Sequence, residues 1–164
     1  MEVRNATIKD LTEILNIYAY ARQFMRDTGN PNQWKTTNPT QETLESDISN
    51  GNLYLLVDSK EIHGVFAYIE GIDPTYNFIE GKWLNDMPYS AVHRVASAGK
   101  SRGVLKQIMD YALSCAENIR IDTHEDNKVM QHSLEKLGFV RCGIIYLSNG
   151  EPRIAYHIVN NKRR

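Results

Sequence analysis

Apolar residues recur three and four positions apart from Leu11 to Met25, through Ile14, Leu15, Ile17, Tyr18 and Ala21. That spacing predicts an amphipathic helix. Glu2 to Ala6 reads as a short strand before it. Thr7 with Asp10 three residues on makes a capping pair, and Asp27 to Asn32 stops the helix. A second helix is expected over Thr40 to Asn50. Leu53 to Val57 is a near-continuous apolar run, hence a strand buried on both faces. Ile62 to Ile69 follows a polar turn as its partner. Glu70 to Met87 reads as irregular, although Tyr76, Phe78 and Trp83 are many aromatics for a bare linker. They would line a pocket or cover a sheet edge.

Tyr89 to Ala96 predicts a central strand whose period of two puts Tyr89, Ala91, His93 and Val95 on one face. After a small, basic loop, Ser97 to Gly103, helical spacing returns from Val104 to Ala116 and buries Leu105, Ile108, Met109, Ala112 and Leu113. A strand over Ile119 to Asp122 comes next, then a helix from Lys128 to Leu137. Asn127 is the expected N-cap and Gly138 the left-handed C′ residue. Strands over Phe139 to Leu147 and Glu151 to Val159 flank an Asn-Gly hairpin turn. The order β-α-α-β-β-β-α-β-α-β-β defines an α/β chain of the mixed, α+β-sheet kind, with helices on both faces. No repeat or linker composition divides it, so 1–164 is read as one domain.

Charge and composition narrow the classes. The net charge of −1 supplies no field for nucleic acid or an anionic membrane, so neither is expected as a partner. Two cysteines, Cys115 and Cys142, lack CxxC spacing, which argues against zinc or another metal site and predicts buried free thiols. No apolar run reaches membrane-spanning length and the N-terminus lacks a signal-type h-region, so a cytoplasmic protein is expected. The basic tail, Lys162 to Arg164, reads as solvated.

The chemistry concentrates at the strand, loop and helix between His93 and Leu113. Unpaired N–H groups at a helix start, with Lys100 and Arg102 beside them, suit a phosphate. Gly99-Lys100-Ser101 matches the end of a Walker A motif, but position 94 is Arg94 instead of glycine and the loop is too short to wrap a β-phosphate. The other pattern is basic-x-x-Gly running into a helix. Lys100, Arg102, Gly103 and Val104 fit it. Asn127 opens the next helix, with Gly138-Phe139 eleven and twelve residues later.

In these two motifs, and in element order over most of the chain, the sequence resembles the GCN5-related N-acetyltransferases (GNAT). The resemblance implies the GNAT fold with a splayed central strand pair, acetyl-CoA as co-substrate, and acetyl transfer by direct attack of an amine. It implies that Val95, Ala96 and Ser97 pair with the pantetheine arm, that Lys100, Ser101, Arg102, Gly103, Val104 and Leu105 hold the pyrophosphate, and that Asn127 contacts the cofactor arm. A backbone N–H on the central strand would stabilise an oxyanion by about 3 kcal/mol. Trp34, in the loop that lies over the acceptor site in the family, is the substrate-side candidate. Two positions depart from the pattern. Leu105 stands where a small residue is usual, and Leu134 where the family often has a tyrosine that protonates the leaving thiolate.

The base is open among His93, Tyr89 and His124, with Asp122 and Glu125 as attractors of a cationic amine. A small-molecule amine or amino-acid-like acceptor is expected, with specificity in Trp34, the Asp73 to Met87 segment and the last hairpin. The competing class is an inactive acetyl-CoA-binding sensor of the same fold. Relatives in the family often dimerise, and the C-terminal strand is expected to form an exposed edge, which leaves a homodimer open.

Overall fold

The computed structural model describes residues 1–160, so the basic tail lies outside the described residues. The strands are β1 (Glu2–Asn5), β2 (Leu53–Val57), β3 (Ile62–Glu70), β4 (Glu80–Gly81), β5 (Ser90–Ser97), β6 (Asn118–Thr123), β7 (Val140–Tyr146) and β8 (Pro152–Val159). The helices are α1 (Leu11–Asp27), α2 (Gln41–Ser49), α3 (Val104–Cys115) and α4 (Lys128–Lys136). One eight-stranded sheet runs β1-β2-β3-β5-β6-β8-β7-β4, parallel at β5–β6 and antiparallel elsewhere.

The expected helices on both faces are present. Ile14, Ile17, Tyr18 and Ala21 of α1 and Leu44 of α2 pack with Leu53, Leu55, Val65 and Ala67 on one face. On the other, Val104, Ile108, Met109 and Ala112 of α3 and Leu134 of α4 pack with Leu56, Phe66, Val92, Ile119, Ile154 and Tyr156. Both sets are buried, each large side chain contributing on the order of 2 kcal/mol. Gly64 lets α3 settle close on β3, since a Cβ there would lie 2.7 Å from Val104 Cγ1. Local signals also hold. The Thr7 N–H donates to Asp10 at 2.8 Å, the Asn127 side chain caps Met130 N at 3.0 Å, and Gly138 takes φ +97.

Four expectations change. First, the segment 70–87 is not wholly irregular. Glu80–Gly81 adds a strand against β7, opposite Ile144 and Gly143. Two glycines face each other there, and a Cβ on Gly81 would strike the Cys142 carbonyl while one on Gly143 would strike that of Glu80. A two-residue strand leaves no period to read. Second, β8 lies between β6 and β7, so the C-terminal strand is no edge. The edges are β1 and β4. Third, Cys115 is exposed in the last turn of α3 and Cys142 is half-buried, so neither is the buried thiol expected. Fourth, Val95 does not share a face with Ala91 and His93.

The fourth has a definite cause. In the pairing of β3 with β5, Ala67 lies opposite His93 and Val65 opposite Ala96, so Phe66 alone on β3 faces both Arg94 and Val95 on β5. The extra residue is a β-bulge, with Arg94 at φ +53. It inverts the alternation. Ala96 joins the α1 face while Val95 turns with Val92 towards α3 and α4. A left-handed non-glycine residue costs on the order of 1 kcal/mol. Here two contacts hold it. Arg94 Nε and Nη2 grip Asp47 of α2 at 2.8 and 3.0 Å, and the Tyr18 hydroxyl of α1 donates to the Arg94 carbonyl at 2.6 Å. Complete burial pushes the Tyr18 phenol far up, so it remains a donor.

Candidate active site

The parallel pair β5–β6 is joined only at Ser90–Ile119 and Ala91–Arg120. Beyond Ala91 the strands part, which is the splay expected. The gap opens into two cavities. One, of about 290 Å³, is lined by Val95, Ala96, Ser97, Gly99, Ser101, Gly103, Val104 and Leu105, with Tyr20 and Phe24 of α1 and Val129 and Ser133 of α4. The other, of about 310 Å³, is lined by His93, Arg94, Asp122, Trp34, Lys35 and Arg153 among others. Met25, Val95, Asn127 and Met130 line both, so the two cavities adjoin across the splay.

The first cavity has the features of an anion cradle at one end. Gly103 precedes α3 with φ +73, and no atom lies within 4 Å of where its Cβ would be. Gly103, Val104 and Leu105 all line the cavity, so the start of the helix, where N–H groups lack partners, faces it. Gly99 sits against Tyr20, whose ring a Cβ would strike. Leu105 lines this cavity while leaning on the main core. Lys100 is turned aside, 3.7 Å from Glu61 and 4.0 Å from Glu13, and neither it nor Arg102 lines the cavity. Leu134 is fully buried and offers no acid, as its sequence implies. Asn127 spends both ends of its amide on the fold, accepting from Met130 N and donating to Gln33 Oε1 at 2.9 Å.

At the second cavity, His93 stands between two carboxylates. Its Nε2 lies 2.8 Å from Asp73 Oδ2, and its Nδ1 3.8 Å from Asp122 Oδ2. Burial pushes the Asp73 carboxyl up, but the bonds from His93 and Thr75 outweigh it and hold it at about 2. Asp122 accepts from the Tyr76 hydroxyl at 2.7 Å. Burial, and then the Asp122 charge, push that phenol well up, so it stays protonated. The other two candidate bases lie elsewhere. The Tyr89 hydroxyl accepts from Asp73 N at 2.8 Å and its ring covers Arg120 at 4.0 Å. His124 Nδ1 accepts from Asp126 N at 3.0 Å. Neither residue lines either of the two cavities.

Trp34 does line the second cavity, edge-on to Tyr18 at 5.5 Å. Its loop is pinned by Gln33, whose Oε1 accepts from Asn30, Asn127 and Thr123. The last hairpin contributes Asn149, Glu151 and Arg153, as expected, whereas the 73–87 segment acts through Asp73 and Tyr76 behind His93. Asp73, Gln33 and Arg153 were not singled out from sequence. Each lies in or beside a turn, far along the chain from the strand it serves, and carries no local signal.

A parallel strand pair that splays over a glycine-bearing helix start, with a second cavity across the gap, is the arrangement that the resemblance to the acetyltransferases implies. A GNAT-family acetyltransferase from Streptococcus agalactiae superposes with a TM-score of 0.88 at 30% identity, covering 98% of this chain and 95% of its own. The chain belongs to the GNAT family of acetyltransferases. More distant structures share the fold. A ribosomal-protein-alanine N-acetyltransferase from Brucella melitensis is 17% identical (TM-score 0.65, 98% of this chain and 100% of that one). The structure of yncA from Salmonella typhimurium, with its cofactor acetyl-CoA, is 11% identical (TM-score 0.60, 96% and 92%). No family model matches the sequence, and no curated protein matches it. Among the described residues, no helix is long and apolar enough to cross a membrane.

Proposed function

We propose that the protein transfers the acetyl group of acetyl-CoA to the primary amine of a small, amino-acid-like acceptor by direct attack, with His93 as the base. The observation that carries this reading is the adjacency of the two cavities, which share Val95, Asn127, Met25 and Met130, with His93 lining the second.

The residues present fit the cofactor. The parted edge of β5 over Val95 to Ser97 would take the arm, and the helix start at Gly103 to Leu105, open at Gly103, would take the diphosphate. Acetyl-CoA supplies a thioester as the acyl donor. The chain supplies the rest. With Asp73 accepting at Nε2, a neutral His93 carries its hydrogen there and leaves the Nδ1 lone pair to accept a proton. Once protonated, the ring stands between Asp73 and Asp122. A base so placed contributes typically 10²- to 10⁴-fold.

The distribution of charge supports the acceptor class. Asp73 and Asp122 flank His93, whereas Lys35 and Arg153, which line the same cavity, share Glu151 as their acidic partner. Arg94 and Asp47 cancel. An acceptor with an amine at one end and a carboxylate at the other complements both. The test is thermal melting with and without acetyl-CoA, beside Gly103→Asp, followed by turnover of an amine panel. At a hundredfold excess over Kd, stabilisation of about 2.7 kcal/mol is expected in the wild type and lost in the variant. No stabilisation would sink the reading. Stabilisation without turnover of any amine would leave an acetyl-CoA-binding module, the role that Leu134 favours.

A further inference from the structure

Asp58, His63 and Ser101 form a hydrogen-bonded chain that the transfer reaction does not use. His63, in β3, is buried, with 5% of its surface exposed. Its Nε2 lies 2.7 Å from Asp58 Oδ2 and its Nδ1 2.9 Å from Ser101 Oγ. The other Asp58 oxygen accepts the N–H groups of Lys60 and Glu61 at 2.9 and 2.8 Å, which fixes the carboxylate as an acceptor. Ser101 lines the cavity at the start of α3.

The hydrogens can be assigned from this geometry. A neutral imidazole facing a carboxylate carries its proton on that nitrogen, so Nδ1 is a lone pair. The Ser101 hydroxyl must then donate to Nδ1, and only oxygen lone pairs face the cavity. That arrangement repels an anion. An imidazolium donates from both nitrogens. Ser101 Oγ then accepts from Nδ1–H, and its own hydrogen is free to point into the cavity.

We propose that His63 is a proton-linked positioning residue. An anion at the 97–105 loop binds together with a proton taken up on His63, and that proton makes Ser101 accept from His63 and so present a donor instead of lone pairs to the cavity. The inference rests on the reading of this loop as the diphosphate end of the cofactor site. The charged groups in contact with His63 are acidic, which favours the switch. On its own hairpin are Asp58 and Glu61, the latter at 3.9 Å, with Lys60 beside them. From the loop packed against it come Lys100, held by Glu61 and by Glu13 of α1, and Arg102. The paired Arg4 and Asp10 line the same depression as Asp58 and Glu61.

The experiment is calorimetric titration with coenzyme A from about pH 8 to about pH 6, the range in which imidazoles change charge. Buffers of different protonation enthalpy report the protons taken up. Wild type, His63→Gln and Ser101→Ala are compared, so the titration of coenzyme A's own phosphates cancels. Wild-type affinity is expected to rise about fivefold more than that of His63→Gln as the pH falls, with a matching proton uptake, because the coupling is reciprocal. Ser101→Ala should lose most of this excess.

Equal pH dependence in wild type and His63→Gln overturns the proposal. A Ser101→Ala variant that keeps the wild-type dependence overturns the hydroxyl switch and leaves His63 a plain charge. No binding of coenzyme A by any of the three overturns the cofactor reading and this inference together. Should His63→Gln not fold, Asp58→Asn replaces it at an exposed position. Loss of the carboxylate should move the affinity rise to lower pH, and an unmoved rise counts against the chain.

Discussion

The two ends of the site are assembled in different ways. The end at α3 is mostly one contiguous stretch, Val95 to Leu105, completed by helix faces of α1 and α4. Its lining is largely small or apolar, and its means of holding charge are backbone N–H groups. The end at His93 draws on the 33–40 loop, the first turn of α2, β5, β6 and the last hairpin. It carries ionised side chains, most of them already paired, such as Asp73 with His93 and Arg94 with Asp47. An end that recognises with its backbone needs little beyond local sequence. One that recognises with side chains needs the whole fold to bring them together.

This contrast can be broken at either end. The largest effect is expected from His93→Gln, which keeps the size of the ring but cannot take the proton. Turnover should fall 10²- to 10⁴-fold while the stabilisation by acetyl-CoA is unchanged. A parallel loss of that stabilisation would mean that the two ends are not separable.

The next effect separates fold from site by acid. His157 is fully buried, donates to Asn118 Oδ1 at 2.8 Å and accepts from Leu84 N at 3.1 Å. Burial, and then the Arg120 charge, lower it to about 4. A histidine in the unfolded chain titrates near 6.5, so the unfolded state gains a proton first as pH falls. Stability present above about pH 6.5 should therefore be lost on the way to pH 4, by at most about 3 kcal/mol. Asp73, at about 2, stays ionised through that window. Denaturant unfolding at several pH values should show the slope in the wild type and not in His157→Gln. An identical slope in both would place the acid sensitivity elsewhere.

The smallest effects belong to the cationic wall of the acceptor end. Arg153→Gln should raise KM about tenfold for amines that bear a carboxylate, and Lys35→Ala, at an exposed pair, threefold or less. Neither should change KM for amines without an acid group. A uniform rise across both kinds of amine would remove the amino-acid-like acceptor from consideration.

What was legible in the sequence follows the same division. The helix caps and the Asn127 to Gly138 helix were readable because each depends on neighbours in the chain, whereas the splay came only with the family resemblance. The fold followed from their order. His93 was readable as one of three candidates, but not separable from Tyr89 and His124, because Asp73 reaches it from a turn twenty residues away in sequence. The face of Val95 was misread because the bulge at Arg94 is stabilised from α1 and α2, through Tyr18 and Asp47, and has no glycine to mark it. The strand at Glu80 was hidden because its requirement is for empty space at Gly81 and Gly143, which no hydropathy pattern records.

The four side chains that line both cavities, Met25, Val95, Asn127 and Met130, carry a kinetic consequence. None of them is a nucleophile, so an acyl group has nowhere at the junction to rest between one substrate and the other. On the proposed reading, donor and acceptor must be present together. Double-reciprocal plots of initial velocity at several fixed acceptor concentrations should then intersect, where a shuttle through an acylated side chain would draw them parallel.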